Sequence, residues 1–212
     1  YDIPVLYFPK FFHPDPTVKR KSGFLQPEFN SSNILGSSFT LPYYKILSEN
    51  KDFTVRPTWF DNDTLMSHSE YRQINKNSKL TADFGFVKNY KSTISKKKKN
   101  LSHFFGQYDL DLELDNFNSS DLSISVQRVS NDNYLKIFEP HIATSSVKPK
   151  SFDTLSNSMK IFLESDNYFL ESGIEIFQKL KNKKSDQYQY ILPYYNFNRS
   201  IPWKTFNGNL NF

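Results

Sequence analysis

The 212-residue chain has no cysteine, only six glycines and four histidines, and no long apolar run. Each shortage closes a class of function. Without cysteine there is neither a disulfide scaffold nor a thiolate metal site. The longest nearly apolar stretch, residues 3–9, falls far short of the roughly 20 residues that a membrane-crossing helix needs. The glycines form no phosphate-cradling loop, and Gly-x-Ser-x-Gly is absent. His13, His68, His103 and His141 are scattered, with no H-E-x-x-H and no paired spacing that suits a metal. Neither an enzyme nor a cofactor is expected. The chain opens at Tyr1 without a basic segment leading into an apolar core, so no signal peptide is expected within it.

Aromatic residues are what the chain has in quantity: 21 Phe, 13 Tyr and 2 Trp, 17% of the sequence. Disordered chains are poor in aromatics, so a folded protein is expected. Hydrophobic residues make up only 37%, and the mean hydropathy is −0.63. Such averages do not separate a soluble β-sandwich from a membrane barrel. A transmembrane strand is about 10 residues of alternating character, half of them polar.

Alternation with period two is the dominant pattern. In residues 107–114, Tyr108, Leu110, Leu112 and Leu114 take one face, while Gln107, Asp109, Asp111 and Glu113 take the other. In residues 121–128, Leu122, Ile124 and Val126 alternate with Ser123, Ser125 and Gln127. Residues 115–120, Asp-Asn-Phe-Asn-Ser-Ser, read as the hairpin turn between them. Two more faces follow the same rule: Leu80, Ala82, Phe84 and Phe86, and Met159, Ile161 and Leu163. No window of comparable length carries helical spacing.

Turn signals divide the chain into about ten strands, near residues 23–30, 34–47, 52–60, 65–74, 79–91, 101–115, 121–129, 155–164, 168–180 and 188–199. Connections after the second, fourth, sixth and eighth strands are short. Those after the fifth, seventh and ninth are longer, at residues 92–100, 130–154 and 181–187. In an up-and-down antiparallel array the longer loops share one end. Tight turns at one end and long loops at the other are the habit of outer-membrane barrels, whereas Greek-key sandwiches do not sort their loops this way. Tyr43, Tyr44, Trp59, Phe60, Tyr71, Tyr90, Phe104, Phe105, Tyr188, Tyr194 and Tyr195 lie at or near strand ends, where interfacial aromatic girdles would sit.

Charge follows the same division. Lys96, Lys97, Lys98 and Lys99 form one cationic run, and Lys181, Lys183 and Lys184 a second cluster. Both fall in the long-loop set, where they would meet anionic head groups by Coulomb attraction. Nucleic acid is not the expected partner, because a pI near 9.1 is modest and no recognition signature accompanies it. Asp109, Asp111 and Glu113 could suggest acid–base chemistry or a hard cation site. Alternating acids also describe the wet side of a barrel, and the polar set Asp109, Asp111, Glu113, Ser123, Ser125 and Gln127 is read as lumen-facing. Pro27 and Pro42 fall inside the first two strand-like stretches, where proline removes a ladder donor. In an ordinary sheet such a strand is an edge strand, and in a closed barrel it marks a seam.

Several segments resemble the LptD (OstA) lipopolysaccharide-assembly family. They are Ile3-Pro4-Val5-Leu6-Tyr7-Phe8-Pro9, then Lys19-Arg20-Lys21-Ser22-Gly23-Phe24-Leu25-Gln26-Pro27, then Leu41-Pro42-Tyr43-Tyr44 with Asp52 and Thr54. Val129-Ser130-Asn131-Asp132-Asn133-Tyr134-Leu135 is similar to a loop motif of that family, and Gln178-Lys179-Leu180 with Tyr190-Ile191-Leu192-Pro193 to a later pair. The resemblance implies an all-β fold. Residues 1–21 would end a periplasmic β-jelly roll and its linker. Residues 22–212 would form the amino-terminal part of a very large antiparallel up-and-down transmembrane barrel, with Pro27 and Pro42 at a lateral gate. It also implies lipopolysaccharide as substrate, a lipoprotein plug of the LptE type, a periplasmic bridge of the LptA type, and the outer membrane as location. The rival expectations are a soluble all-β glycan-binding module and a different, porin-like barrel. A second sheet packed over Leu110, Leu112, Leu122 and Ile124 would identify the soluble module.

Overall fold

A computed structural model describes residues 20–92, 97–181, 186–202 and 207–211. It contains thirteen strands: β1 (Gly23–Phe24), β2 (Glu28–Ser32), β3 (Gly36–Thr40), β4 (Tyr43–Ser48), β5 (Lys51–Phe60), β6 (Leu65–Ile74), β7 (Ser78–Tyr90), β8 (Lys99–Asp111), β9 (Ser119–Val129), β10 (Thr154–Ser165), β11 (Tyr168–Lys179), β12 (Tyr188–Pro202) and β13 (Asn207–Asn211). One helix, α1 (Tyr134–Ile142), sits in the connection between β9 and β10.

All thirteen strands join a single antiparallel sheet. From β4 to β13 each strand lies beside its neighbours in the chain. β1 pairs with β4, while the β2–β3 hairpin attaches to β5 through β3. Among the described residues no pairing links β13 back to β1, so the sheet is open. The expected up-and-down order holds, and the long connections share one end of the array. At the other end the turns are stitched to one another, Asn50 Nδ2 donating to Asn75 Oδ1 at 2.9 Å.

The register sorts the alternating sequence into two faces. On one, Tyr108 stands opposite Ile124 and Leu110 opposite Leu122. The row continues through Met159 and Ile161 on β10 and Ile174 on β11. Phe84, Phe86, Phe104, Val126, Met159, Ile161 and Ile174 on this face are all exposed. No second sheet covers it among the described residues, contrary to what a soluble sandwich requires. No helix among them is long and apolar enough to cross a membrane, which leaves crossing by strands untouched.

Two expectations change. The stretches 23–30 and 34–47 are each two strands, because Pro27 and Pro42 interrupt the ladder. The connection 130–153, expected as a plain loop, holds the helix α1. Its apolar positions Tyr134, Leu135, Phe138 and Ile142 are buried, a stripe of four residues over about two turns. That signal is too short to stand out beside strands of 11 to 13 residues.

Candidate functional site

Pro27 separates β1 from β2, and Pro42 separates β3 from β4. Phe24 stands opposite Tyr43, and Glu28 opposite Thr40, so the pairing slips by one residue between the two halves. Across the break the Leu25 amide donates to the Pro42 carbonyl at 2.9 Å. One strand further in, Thr40 faces Thr58 and Tyr43 faces Val55. The Leu41 amide there donates to the Pro57 carbonyl at 3.2 Å. Pro27, Pro42 and Pro57 follow one another at intervals of 15 residues. Pro42 and Pro57 each accept a ladder bond and, lacking an N–H, return none. A backbone hydrogen bond is worth about 0.5–1.5 kcal/mol net. The sheet is therefore thinly held along one level across its first strands, beside the edge formed by β1 and β2.

The face opposite the exposed apolar rows carries α1 at its long-loop end. Phe60, Met66, Val87, Leu101 and Phe105 on the strands, with Leu155 and Leu180, form one buried cluster with the helix residues. Each fully buried side chain of this size contributes about 1.5–3 kcal/mol. Beneath that cap the face turns polar. Thr40 and Thr58 pair through their hydroxyls at 2.7 Å. His68 Nε2 lies 2.9 Å from both carboxylate oxygens of Asp83. His103 Nε2 lies 2.8 Å from Asp83 Oδ1, and its Nδ1 lies 2.7 Å from the Tyr134 hydroxyl. Toward the short turns the face becomes charged. Arg72 Nε donates to Asp52 Oδ1 at 2.8 Å, and Arg20 bonds both Asp52 and Tyr44. These residues line a cavity of about 660 Å³ that Lys79 and Ser146 also border.

Of the residues singled out in the sequence, Asp109 and Ser123 face each other directly, as do Asp111 and Asp121. Ser123 Oγ donates to Asp109 Oδ1 at 2.8 Å, and Gln107 Nε2 bonds both. Ser125 stands opposite Gln107, and Gln127 opposite Phe105; both line a second cavity of about 500 Å³. Glu113 departs from the expected strand. It lies beyond the end of β8 with φ near 50° and accepts from Lys76 Nζ at 3.1 Å. Lys97, Lys98 and Lys99 are exposed, and Lys181 lies 3.6 Å from Asp153 Oδ1. The Lys136 ammonium, 2.7 Å from Asp153, holds that carboxyl below the usual range. Lys96, Lys183 and Lys184 lie outside the described residues, as do residues 1–19.

Two of the histidines, His68 and His103, come together. His68 stands opposite Gly85, and Gly85 opposite His103. Three adjacent strands thus bring two imidazoles level, with Asp83 two residues along the middle strand. The intervals between 68, 83 and 103 match no ligand motif. They acquire meaning only once the strand and loop lengths are known.

No family model matches the chain. Sequence relatives do. The chain is 26% identical over 206 residues, 95% of its length, to the LPS-assembly protein LptD of Pseudomonas fluorescens. Over 138 residues, 65% of the chain, it is 30% identical to the LptD of Idiomarina loihiensis, and over 87 residues 37% identical to that of Hahella chejuensis. The chain is similar to LptD proteins over as much as 95% of its length. It spans 21% of the length of the Pseudomonas fluorescens LptD and 17% of that of Idiomarina loihiensis. The LptD match to Pseudomonas fluorescens extends over most of the strands described above, so the two-faced sheet and its proline-broken edge belong to the shared region.

Proposed function

We propose that residues 22–212 form part of an outer-membrane β-barrel that passes lipopolysaccharide into the outer leaflet through a lateral gate, with residues 1–21 leading in from a periplasmic jelly roll. The observation that carries this reading is the level of one-sided ladder bonds at Pro42 and Pro57, beside the strand break at Pro27, on a sheet with one apolar face that nothing covers among the described residues. An apolar face with no protein partner suits acyl chains, and a polar opposite face suits a water-filled lumen. In this reading Asp109, Asp111, Ser123, Ser125 and Gln127 line the lumen, with Glu113 at its rim. Lys96 to Lys99, together with Lys181, Lys183 and Lys184, meet lipopolysaccharide phosphates outside the cell.

Missing ladder bonds lower the cost of parting the strands. The acyl chains then enter the bilayer while the saccharide stays in the polar lumen. The role is translocation and not chemistry. An LptE-type lipoprotein plug and an LptA-type periplasmic bridge complete the same proposal. A photo-crosslinking amino acid at position 27 or 42 of the full-length protein is expected to capture lipopolysaccharide in cells. Adducts elsewhere in the barrel with none at either position would remove the gate assignment. Replacing both prolines with alanine is expected to slow arrival of lipopolysaccharide at the surface; unchanged arrival would remove the mechanism.

A further inference from the structure

We propose that His68, Asp83 and His103 form a binding site for a divalent transition-metal ion of borderline softness, Zn²⁺ being the representative case. Their ligand atoms all lie within 4.8 Å of one another, and all three residues are buried, Asp83 completely. The two histidines approach Asp83 through Nε2 at 2.8 and 2.9 Å. Around a tetrahedral Zn²⁺ with bonds of about 2.0–2.1 Å, neighbouring donors stand roughly 3.3 Å apart. The three donors therefore need to open by about half an ångström, within reach of small side-chain rotations.

Three further features direct these groups to one point. His68 has no partner at Nδ1, so its polar engagement is entirely at Nε2, the atom facing the other two donors. His103 is oriented from behind by the Tyr134 hydroxyl at 2.7 Å, the kind of outer partner that fixes the tautomer of a metal-bound imidazole. Gly85, between the two rings, makes the space. A Cβ there would lie 2.3 Å from His103 Cε1 and 2.5 Å from Nδ1.

Charge points the same way. Asp83 has no Lys or Arg partner among the described ion pairs; both of its partners are imidazoles. A carboxylate removed from water needs a counter-charge, and a divalent cation bound by all three groups supplies it. Two imidazoles and one carboxylate favour Zn²⁺, Co²⁺ or Ni²⁺ over the harder Mg²⁺ and Ca²⁺. Because Tyr134 opens α1, an ion here would also tie the helix to β6, β7 and β8.

The test uses full-length protein in detergent, stripped with a chelator and reloaded with Zn²⁺ or Co²⁺. One metal per chain above the His68→Ala/His103→Ala background is expected, with the intense visible absorption of four-coordinate cobalt and a rise in Tm with Zn²⁺ but not with Mg²⁺. Tyr134→Phe keeps all three ligands and is expected to weaken affinity about 10- to 100-fold. Metal content equal in wild type and double variant, or wild-type cobalt spectra identical to aqueous Co²⁺, would overturn the proposal and leave a hydrogen-bonded triad. The cobalt spectrum needs no variant, so a misfolded mutant does not blunt the test.

Discussion

Leu41 donates its amide to the Pro57 carbonyl at 3.2 Å, and Pro57 has no N–H with which to answer the Leu41 carbonyl. The residues face each other in the register set by Thr40–Thr58 and Tyr43–Val55, so one rung of the ladder holds half its usual bonds. Pro42 repeats the arrangement one strand nearer the edge, accepting from Leu25. The weak level thus reaches the third strand position of the sheet.

Pro57→Ala restores a donor aimed at the Leu41 carbonyl. It is expected to slow amide exchange at Leu41 and its neighbours by an amount equivalent to about 0.5–1.5 kcal/mol. Hydrogen–deuterium exchange of the full-length protein reads this directly. Unchanged exchange at Leu41 would mean that Pro57 takes no part in loosening the edge.

Glycines 23 and 85 call for opposite outcomes. A methyl group on Gly23 meets nothing within 4 Å, whereas one on Gly85 would collide with the His103 ring and approach the Tyr134 hydroxyl at 3.0 Å. Gly85→Ala is expected to lower Tm and expose the 130–153 connection to protease. Gly23→Ala is expected to change neither. Equal behaviour of the two variants would contradict the packing described around His103.

Burial against Phe60, whose ring centroid lies 5.0 Å away, pushes His141 below the ordinary imidazole range. A base with a depressed folded-state pKa binds fewer protons folded than unfolded. Stability is therefore intact above the unfolded value of about 6.5 and falls as pH drops from there toward the folded value. Docking of α1 is expected to loosen in mildly acidic buffer, and His141→Gln to flatten that dependence. Protease sensitivity of the helix against pH is the measurement; identical curves for both proteins would dismiss His141 as the cause.

The two faces of β9 separate lipid from water in the proposed barrel. Ile124→Lys puts a charge on the apolar face and is expected to cost about 2–4 kcal/mol if the residue lies near mid-bilayer. Ser123→Lys, one residue away on the opposite face, is expected to cost much less. Folding titrations into lipid vesicles compare them, and similar costs would argue against one face being in lipid.

Most of the strands were legible because a period of two is a direct imprint of a sheet with unlike faces. Tyr108, Leu110, Leu122 and Ile124 could be assigned to one side before any pairing was known, and the register agrees. Pro27 and Pro42 were recognised as weak points, but not that they end strands. A missing N–H tells where a ladder bond fails, not whether the neighbouring residues still pair. Pro57 lies inside the stretch 52–60 as Pro27 and Pro42 lie inside theirs, but its level relative to Pro42 depends on the turn at residues 49–50. Helix α1 was not legible because its nine residues earn their burial from a seat built by distant strands. The meeting of His68, Asp83 and His103 depends in the same way on turn and loop lengths, which alternation does not encode.

The order of the strands in space, running with the chain from β4 to β13, also bears on how the molecule assembles. Each new strand docks on the one made just before it, so closing each hairpin costs little loop entropy, and low contact order favours rapid formation. Helix α1 is the exception. Its seat draws on Phe60 and Met66, far upstream, and on Leu155 and Leu180, downstream. The strands can therefore form one at a time, while the helix must wait until both flanks exist, so its docking comes only after β10 and β11 have paired.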